Sequence, residues 1–563
     1  MHIASELRPE YMKAQRPTPS ISAAPRRRSF CHAFVASDWK AGYPRPRLFA
    51  GGAVFGAYIG YAALHPVYLD TPGKAPVPSV QVEKHITYQE VQRHSTSESC
   101  WVIINGQVYD ATSVLKWHPG GAGVIVRNSG KDATKAFVPI HPPDTLQQLP
   151  IAAHLGPVDP ATMPTDAHQP TEEELRVAEA RKLIPHPSLV LNLNEIEELA
   201  QNVLTKTAWA YYRSTADDEN TYFENTASFK RFWFRPRVTL LNFGCVVSLN
   251  KISRISTTRS MFGLPSSLPI YISPAALMRL GHPDGEMNAT RAAGREGILQ
   301  GISNNASCST DECVSVKLPR QDLIFQLYMN KDRSASDVLI KKVESQGFKA
   351  IMLTVDAAVP GKRELDQRAK GDDLKDMPAA FGKSDTGGGL GVSHAISGYQ
   401  DPDVCWEDIP WLQSITKLPI IIKGIQCVED AEKAFRYGVS AIILSNHGGR
   451  EMDFSPAPMT LLYELHQTCP DLLVDHEVYI DGGVRRGTDV LKALCLGARG
   501  VGIGRPFLYA NGIWGEEGCL RVIQILREEI ETGMRLLGVT SLEQLTPKMI
   551  RYVDRDPPPR SRL

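Results

Sequence analysis

Neither sign of charge is in excess: Lys and Arg total 62, and Asp and Glu total 62, in 563 residues. That balance offers no net field to draw nucleic acid or an anionic membrane. Cysteine is sparse and scattered, ten residues with no CxxC, no CxxCH and no metal-like spacing. A disulfide framework, a zinc site and covalently attached haem are thereby excluded, and the thiols read as buried. No GxGxxG follows the first apolar run of the C-terminal half, which argues against a dinucleotide-binding open sheet. Long uniform hydrophobic runs are missing too. The most apolar segment, LFAGGAVFGAYIGYAAL (48–64), is slightly short for a membrane span and diluted by Gly and Ala.

What is present first is a biased N-terminus. Residues 11–47 hold Arg16, Arg26, Arg27, Arg28, Arg45 and Arg47 against one acid, Asp38. This Arg-rich, Ser-containing, acid-poor composition suits a mitochondrial presequence, with 48–64 as a sorting signal behind it. A retained anchor and a plain tail are the competing readings of 1–78.

The chain is too long for one core, so at least two domains are expected. After the Pro-rich 72–78, a compact unit spans 82–157. In it, WVIINGQVYD (101–110) reads as a β-hairpin turned at Asn105-Gly106. Residues 158–192 are polar and Pro-containing, the composition of a linker or hinge. From 193 to 550, apolar runs recur at 268–273, 297–303, 323–329, 350–356, 418–424, 441–446, 478–483 and 500–504, with amphipathic helix-length segments between most of them. Eight buried strands alternating with helices predict an α/β fold, a (β/α)8 barrel preceded by a small α+β domain. The connection 357–417 is long, and its GDDLKDMPAAFGKSDTGGGLGVSH predicts a flap at the mouth of a pocket. Residues 551–563 form a short tail.

In the first domain, His118 (WHPGG) and His141 (FVPIHPP) both sit among apolar residues. Two imidazoles facing an apolar slot can ligate one haem iron from both sides, and a closed site of that kind carries electrons rather than oxygen. Two ordinary turn histidines are the plainer alternative.

Barrel chemistry gathers at the C-terminal ends of the strands. HGGR (447–450) alone could be a turn facing water. However, six strand ends are polar on apolar strands: Gln326 and Tyr328; Thr354 and Asp356; Lys423; Ser445, Asn446, His447 and Arg450; Asp481, Gly483 and Arg485; Gly504 and Arg505. The set contains a base, an acid, hydroxyl donors and guanidinium groups. DGGVRRG (481–487) and GIGRP (502–506) suit a phosphate held at a helix N-terminus after the last two strands.

These motifs carry two resemblances. The HPGG turn and its surroundings, from about His85 to Pro157, resemble cytochrome b5, which implies a non-covalent haem b with His118 and His141 as axial ligands. SNHGGREMD (445–453) and DGGVRRGTDVLKALCLGARGVGIGRPFLYA (481–510) are similar to the FMN-dependent L-2-hydroxyacid-oxidising enzymes, over about Leu193 to Thr546. The order haem domain, hinge, FMN barrel is that of the flavocytochrome b2 family. The resemblance implies oxidation of a small-molecule L-2-hydroxy acid, L-lactate first among them, with cytochrome c as acceptor, a homotetramer, and a mitochondrial intermembrane-space location.

It also implies roles. His447 would be the base and Asp356 its orienting partner. Arg450 and Tyr211 would hold the substrate carboxylate, Tyr328 the hydroxyl, and Lys423 would face the flavin ring. Ser303, Gln326 and Thr354 would contact the flavin, with Asp481, Gly483, Arg485, Gly504 and Arg505 around its phosphate. Two departures stand out. Ala275 occupies a place near the flavin where the family often has Thr. Asn305 stands where relatives carry Leu or Trp against the substrate side chain, which puts a polar group opposite lactate's methyl. Three alternatives stay open: an oxygen-using oxidase, a dehydrogenase for a different 2-hydroxy acid, and a b5-type electron carrier fused to an inactive barrel.

Overall fold

The computed structural model describes residues 85–118, 122–164, 170–236, 252–372 and 392–554. The presequence, the apolar run 48–64 and most of the Gly-rich part of the long connection lie outside the described residues.

The hairpin forms as its sequence requires. Strands β1 (Trp101–Ile104) and β2 (Gln107–Asp110) pair antiparallel, with Ile104 opposite Gln107. Asn105 and Gly106 turn the chain with φ of 51° and 76°, the left-handed pair that a tight two-residue hairpin needs. A third strand, β3 (His154–Pro157), adds to β2. One face of the sheet meets Val114, Ala133, Ile125 and Phe137 in a small apolar cluster.

The linker is more ordered than its composition suggests. Residues Glu172–Lys182 form a helix whose capping box joins Thr171 and Glu174. Arg176 donates to the carbonyls of Asn202 and Leu204 at 2.8 and 2.7 Å, at the C-terminal end of helix Leu193–Val203. Those carbonyls have no partner within their own helix, and a guanidinium there satisfies them. Arg181 donates to Gly512 O at 2.8 Å. Thr171 with Glu174 three residues on has the spacing of a capping box, and the box forms despite the flanking prolines.

All eight barrel strands appear where the apolar runs stand: β4 (Ile270–Ile272), β5 (Leu299–Ile302), β6 (Leu323–Leu327), β7 (Ile351–Thr354), β8 (Ile420–Ile425), β9 (Ala441–Leu444), β10 (Glu477–Asp481) and β11 (Gly500–Ile503). They close into one parallel barrel in chain order, β11 pairing back onto β4. Alternate residues point inward. Leu299, Ile324, Ala350, Met352, Ile421, Ile443 and Tyr479 fill the interior with an apolar cluster. The N-terminal end is stoppered by the hairpin Arg259–Met261/Leu264–Ser266, from which Phe262 stacks on Tyr479 at 3.9 Å and meets Tyr271 edge-on at 5.2 Å. With one end plugged, the polar residues at the strand C-termini face the open end. The first residues of the expected tail are strand instead: Ile550–Tyr552 pairs antiparallel with Phe232–Phe234.

Candidate active site

One cavity at the C-terminal end of the barrel is lined by Tyr211, Ser303, Asn305, Gln326, Tyr328, Thr354, Lys423, His447, Arg450, Asp481, Gly483, Arg485, Gly504 and Arg505. Of the barrel residues named from the sequence, three do not reach it: Asp356, which stands behind His447, Ser445, which accepts from Lys423, and Asn446, which bonds Asn225. Ala275 lines it as well.

His447 follows β9 with φ of 56°, and Gly448 and Gly449 continue at 66° and 76°. Three consecutive left-handed residues swing the imidazole back over the barrel mouth. A Cβ on Gly449 would come within 3.0 Å of Tyr222 N, so glycine is required there for close approach as well as for conformation. His447 Nδ1 bonds Asp356 Oδ1 at 2.7 Å. Since an ionised carboxylate only accepts, Nδ1 carries a proton, and in the neutral imidazole Nε2 is the nitrogen left with a lone pair. Tyr328 OH lies 3.4 Å from Nε2.

Asp356 is fully enclosed, and burial alone would push its carboxyl up. Lys423 and His447 reverse that and bring it down to about 2. Lys423 Nζ donates to Ser445 Oγ at 2.8 Å and lies 3.6 Å from Asp356 and 3.5 Å from Asp481. Burial works against its charge, but the two carboxylates more than offset it and raise its pKa. Lys423 is thus a fixed cation on the cavity wall.

Arg450 sits 5.0 Å from the ring of Tyr211, and Nη1 donates to Tyr211 O at 2.9 Å. Burial lowers its pKa to about 10, which still leaves it cationic at neutral pH. Burial also raises the hydroxyls of Tyr211 and Tyr328, so both remain O–H donors.

Several lining groups are buried without partners: Gln326 Nε2, Thr354 Oγ1 and Asp481 Oδ1. Each such group costs about 1–3 kcal/mol unless a ligand completes it. Together with Lys423 they form a wall of donors and acceptors that fits the polar edge of a flavin ring. Gly482, Gly483 and Gly504 keep the floor near Asp481 clear of side chains, and helix Arg505–Trp514 begins there, a place suited to a phosphate. The two arginines differ from a simple phosphate clamp. Arg505 spends its donors on the carbonyls of Tyr212, Gly448 and Ser214 at 2.9–3.1 Å. Arg485 Nη1 lies 2.8 Å from Glu197 without hydrogen-bond alignment, and Nη2 donates to Tyr222 OH at 3.0 Å. They supply positive potential beside the phosphate place, with their geometry fixed by protein groups.

In the first domain, the rings of His118 and His141 lie with centroids 6.0 Å apart and planes tilted by 38°. A metal–imidazole bond of about 2 Å, with the centroid about 1 Å beyond the nitrogen, places two axial rings on one ion about 6 Å apart. The pair fits a single haem iron. His141 Nδ1 bonds Phe137 O at 3.1 Å, which leaves Nε2 for the metal. Burial lowers its pKa to about 4, so the ligand is neutral at physiological pH. Ile140, beside it, packs against the apolar core of the barrel region.

Three residues that sequence reasoning passed over shape the cavity. Arg363, from the long connection, ion-pairs with Glu451 and donates to Arg450 O at 3.0 Å. Glu451 also accepts from Gly361 N at 2.6 Å and lies 3.9 Å from His447 Nε2. Tyr399 donates to Asn305 Oδ1 at 2.7 Å. Glu451 lies within SNHGGREMD (445–453). Arg363 and Tyr399 lie in a segment without periodicity, and no local signal marks them. Asp453, the last residue of that motif, is structural: it accepts from Asn220 and Thr221 at the start of helix Asn220–Lys230.

Comparison with known proteins agrees with this geometry. Residues 200–552 match the FMN-dependent dehydrogenase family, and residues 87–159 match the cytochrome b5-like heme/steroid binding domain. The L-lactate dehydrogenase (cytochrome) of Saccharomyces cerevisiae is 43% identical over 491 residues, 84% of this chain and 81% of that one. Its counterpart in Wickerhamomyces anomalus is 42% identical over 468 residues, 83% and 79% of the two chains. The solved flavin-binding domain of baker's yeast flavocytochrome b2 is similar with a TM-score of 0.60 at 43% identity, over 68% of this chain and 92% of that one. The chain belongs to the FMN-dependent dehydrogenase family, carries a cytochrome b5-like domain ahead of its barrel, and has FMN and haem b as cofactors.

Proposed function

We propose that the protein oxidises L-lactate to pyruvate and delivers the electrons to cytochrome c. The single observation that carries the reading is the His447–Asp356 pair at 2.7 Å, opening onto the same cavity as Tyr328, Arg450 and Lys423. The names of the relatives support lactate and a cytochrome acceptor.

Arg450 matches the substrate carboxylate with two parallel N–H groups and fixes which carbon faces the flavin side of the cavity. Tyr328 O–H donates to the substrate oxygen as it becomes a carbonyl. His447 Nε2 takes a proton from the substrate. The imidazolium that results is held by Asp356, which Lys423 keeps ionised. FMN, held against Gln326, Thr354 and Lys423, would supply the acceptor for the two electrons released with the two protons, and haem b, held by His118 and His141, would supply a one-electron relay.

The Arg-rich segment 11–47 followed by the apolar 48–64 supports a mitochondrial intermembrane-space address. A homotetramer rests on family resemblance alone. A steady-state assay with L-lactate tests the reading: reduction of ferricytochrome c at a rate matching lactate loss supports it. Oxygen uptake without cytochrome reduction would replace it with an oxidase.

A further inference from the structure

The cavity lining carries amides and hydroxyls, among them Asn305, Ser393 and Gln400, beside the apolar Ile396 and Ala276. Asn305 follows β5 and lines the cavity together with Gln400, which is 8% exposed. Asn305 is pinned from behind. Tyr399 OH donates to its Oδ1 at 2.7 Å, and Asn304 Nδ2 donates in turn to the Tyr399 oxygen. Its backbone N–H is held by Ser303 Oγ at 3.1 Å, and that of Asn304 by Gln326 Oε1 at 3.2 Å. With its oxygen engaged, the Asn305 amide is left with Nδ2, two N–H donors for which the described residues supply no partner. If the relay Asn304–Tyr399–Asn305 runs in the other sense, Asn305 offers an acceptor instead. In either sense a fixed polar end meets the ligand, and an apolar group placed against it would leave it unsatisfied.

Charge narrows the class. Of the guanidiniums around His447 among the described residues, Arg363 is matched by Glu451, Arg505 spends its donors on backbone carbonyls beside the phosphate place, and Arg450 is left without a carboxylate. One substrate carboxylate is therefore balanced and a second is not. Glu451, 3.9 Å from His447, would repel it.

We infer that, among acids longer than lactate, the side pocket selects L-2-hydroxy monocarboxylic acids carrying a neutral hydrogen-bonding group on the next carbon over those carrying an apolar one, and that Asn305, positioned by Tyr399, reads that group. This rests on the reading of the cavity as an L-2-hydroxy acid site.

The test uses the full-length protein with FMN and haem bound and an isosteric pair of substrates, L-glycerate (CH2OH) and L-2-hydroxybutyrate (CH2CH3), with L-malate as the dianion. Flavin bleaching gives kcat/KM, and calorimetry gives the affinities of the matching 2-oxo acids, hydroxypyruvate and 2-oxobutyrate. The expected result is a preference of about tenfold or more for L-glycerate, the same order in the oxo-acid affinities, and L-malate the poorest. Asn305→Leu should reverse the glycerate preference, and Tyr399→Phe, which only unpins the amide, should narrow it. If Asn305→Leu does not retain FMN, the Tyr399→Phe ratio decides alone. Equal or better use of L-2-hydroxybutyrate by the unaltered protein overturns the inference and leaves the oxidation reading standing. If no acid bleaches the flavin, the oxidation reading fails, and the inference with it.

Discussion

Lys423 Nζ lies 3.6 Å from Asp356 Oδ2, the carboxylate oxygen that the 2.7 Å bond to His447 does not use. The base, its orienting acid and the cation at the barrel mouth are therefore one buried network whose members fix each other's charge. Asp481, 3.5 Å from the same ammonium, is its fourth member.

Removing the orienting charge should disable the base without dismantling the site. Asp356→Asn keeps a polar group beside Nδ1, but it neither favours the Nε2 lone pair nor stabilises the imidazolium. Flavin reduction by substrate should slow by roughly 10²–10⁴-fold, with FMN content unchanged. Stopped-flow measurement of flavin bleaching checks it.

Lys423→Met should cost stability as well as rate, because it strands two buried carboxylates. Breaking a buried ion pair from one side costs about 3–5 kcal/mol. Chemical denaturation followed by fluorescence should show a clear loss, while the double change Lys423→Met with Asp356→Asn should recover part of it.

Arg450→Lys keeps the charge and loses the paired N–H geometry. Hydrogen bonds to charged groups contribute about 1.5–3 kcal/mol, so KM for a 2-hydroxy acid should rise on the order of 10–100-fold. Substrate-dependence curves at fixed pH give the value directly.

Acid should act on the two domains in separate windows. His141 is held at about 4 when folded, against an ordinary 6.5. Between those values the unfolded chain binds more protons, so the haem-free b5-like domain loses stability as pH falls from 6.5 to 4. Asp356 is held at about 2 against 3.8, so its contribution is complete above 3.8 and is lost only as pH falls from there toward 2. Acid titration of the haem-free protein, with separate signals for each domain, should show the first domain yielding before the barrel. In the haem-loaded protein, protons compete with iron for His141, so the Soret band should persist to lower pH than the haem-free domain survives.

The parts of this molecule legible in its sequence share one property: they are dictated locally. The apolar runs gave every barrel strand, because a strand buried on both faces must be apolar throughout. Asn105-Gly106 marked the hairpin because few other pairs take two left-handed residues. His447, Asp356, Lys423 and Arg450 were recognisable because barrel topology places strand ends around one mouth. Arg363, Glu451 and Tyr399 escaped for the opposite reason. Arg363 and Tyr399 lie in the irregular connection, and the cavity brings them to partners 88 and 94 residues away in the chain. Composition likewise missed the helix Glu172–Lys182, whose hold on the barrel depends on Arg176 and Arg181 reaching carbonyls contributed by other elements.

The most direct test of the central claim is an anaerobic one. The full-length protein with FMN and haem b bound is mixed with L-lactate, and flavin and haem absorbances are followed together. Flavin bleaching followed by haem reduction, with His141→Ala abolishing the second phase and sparing the first, is the predicted result. Flavin bleaching with haem left oxidised in the unaltered protein would contradict it.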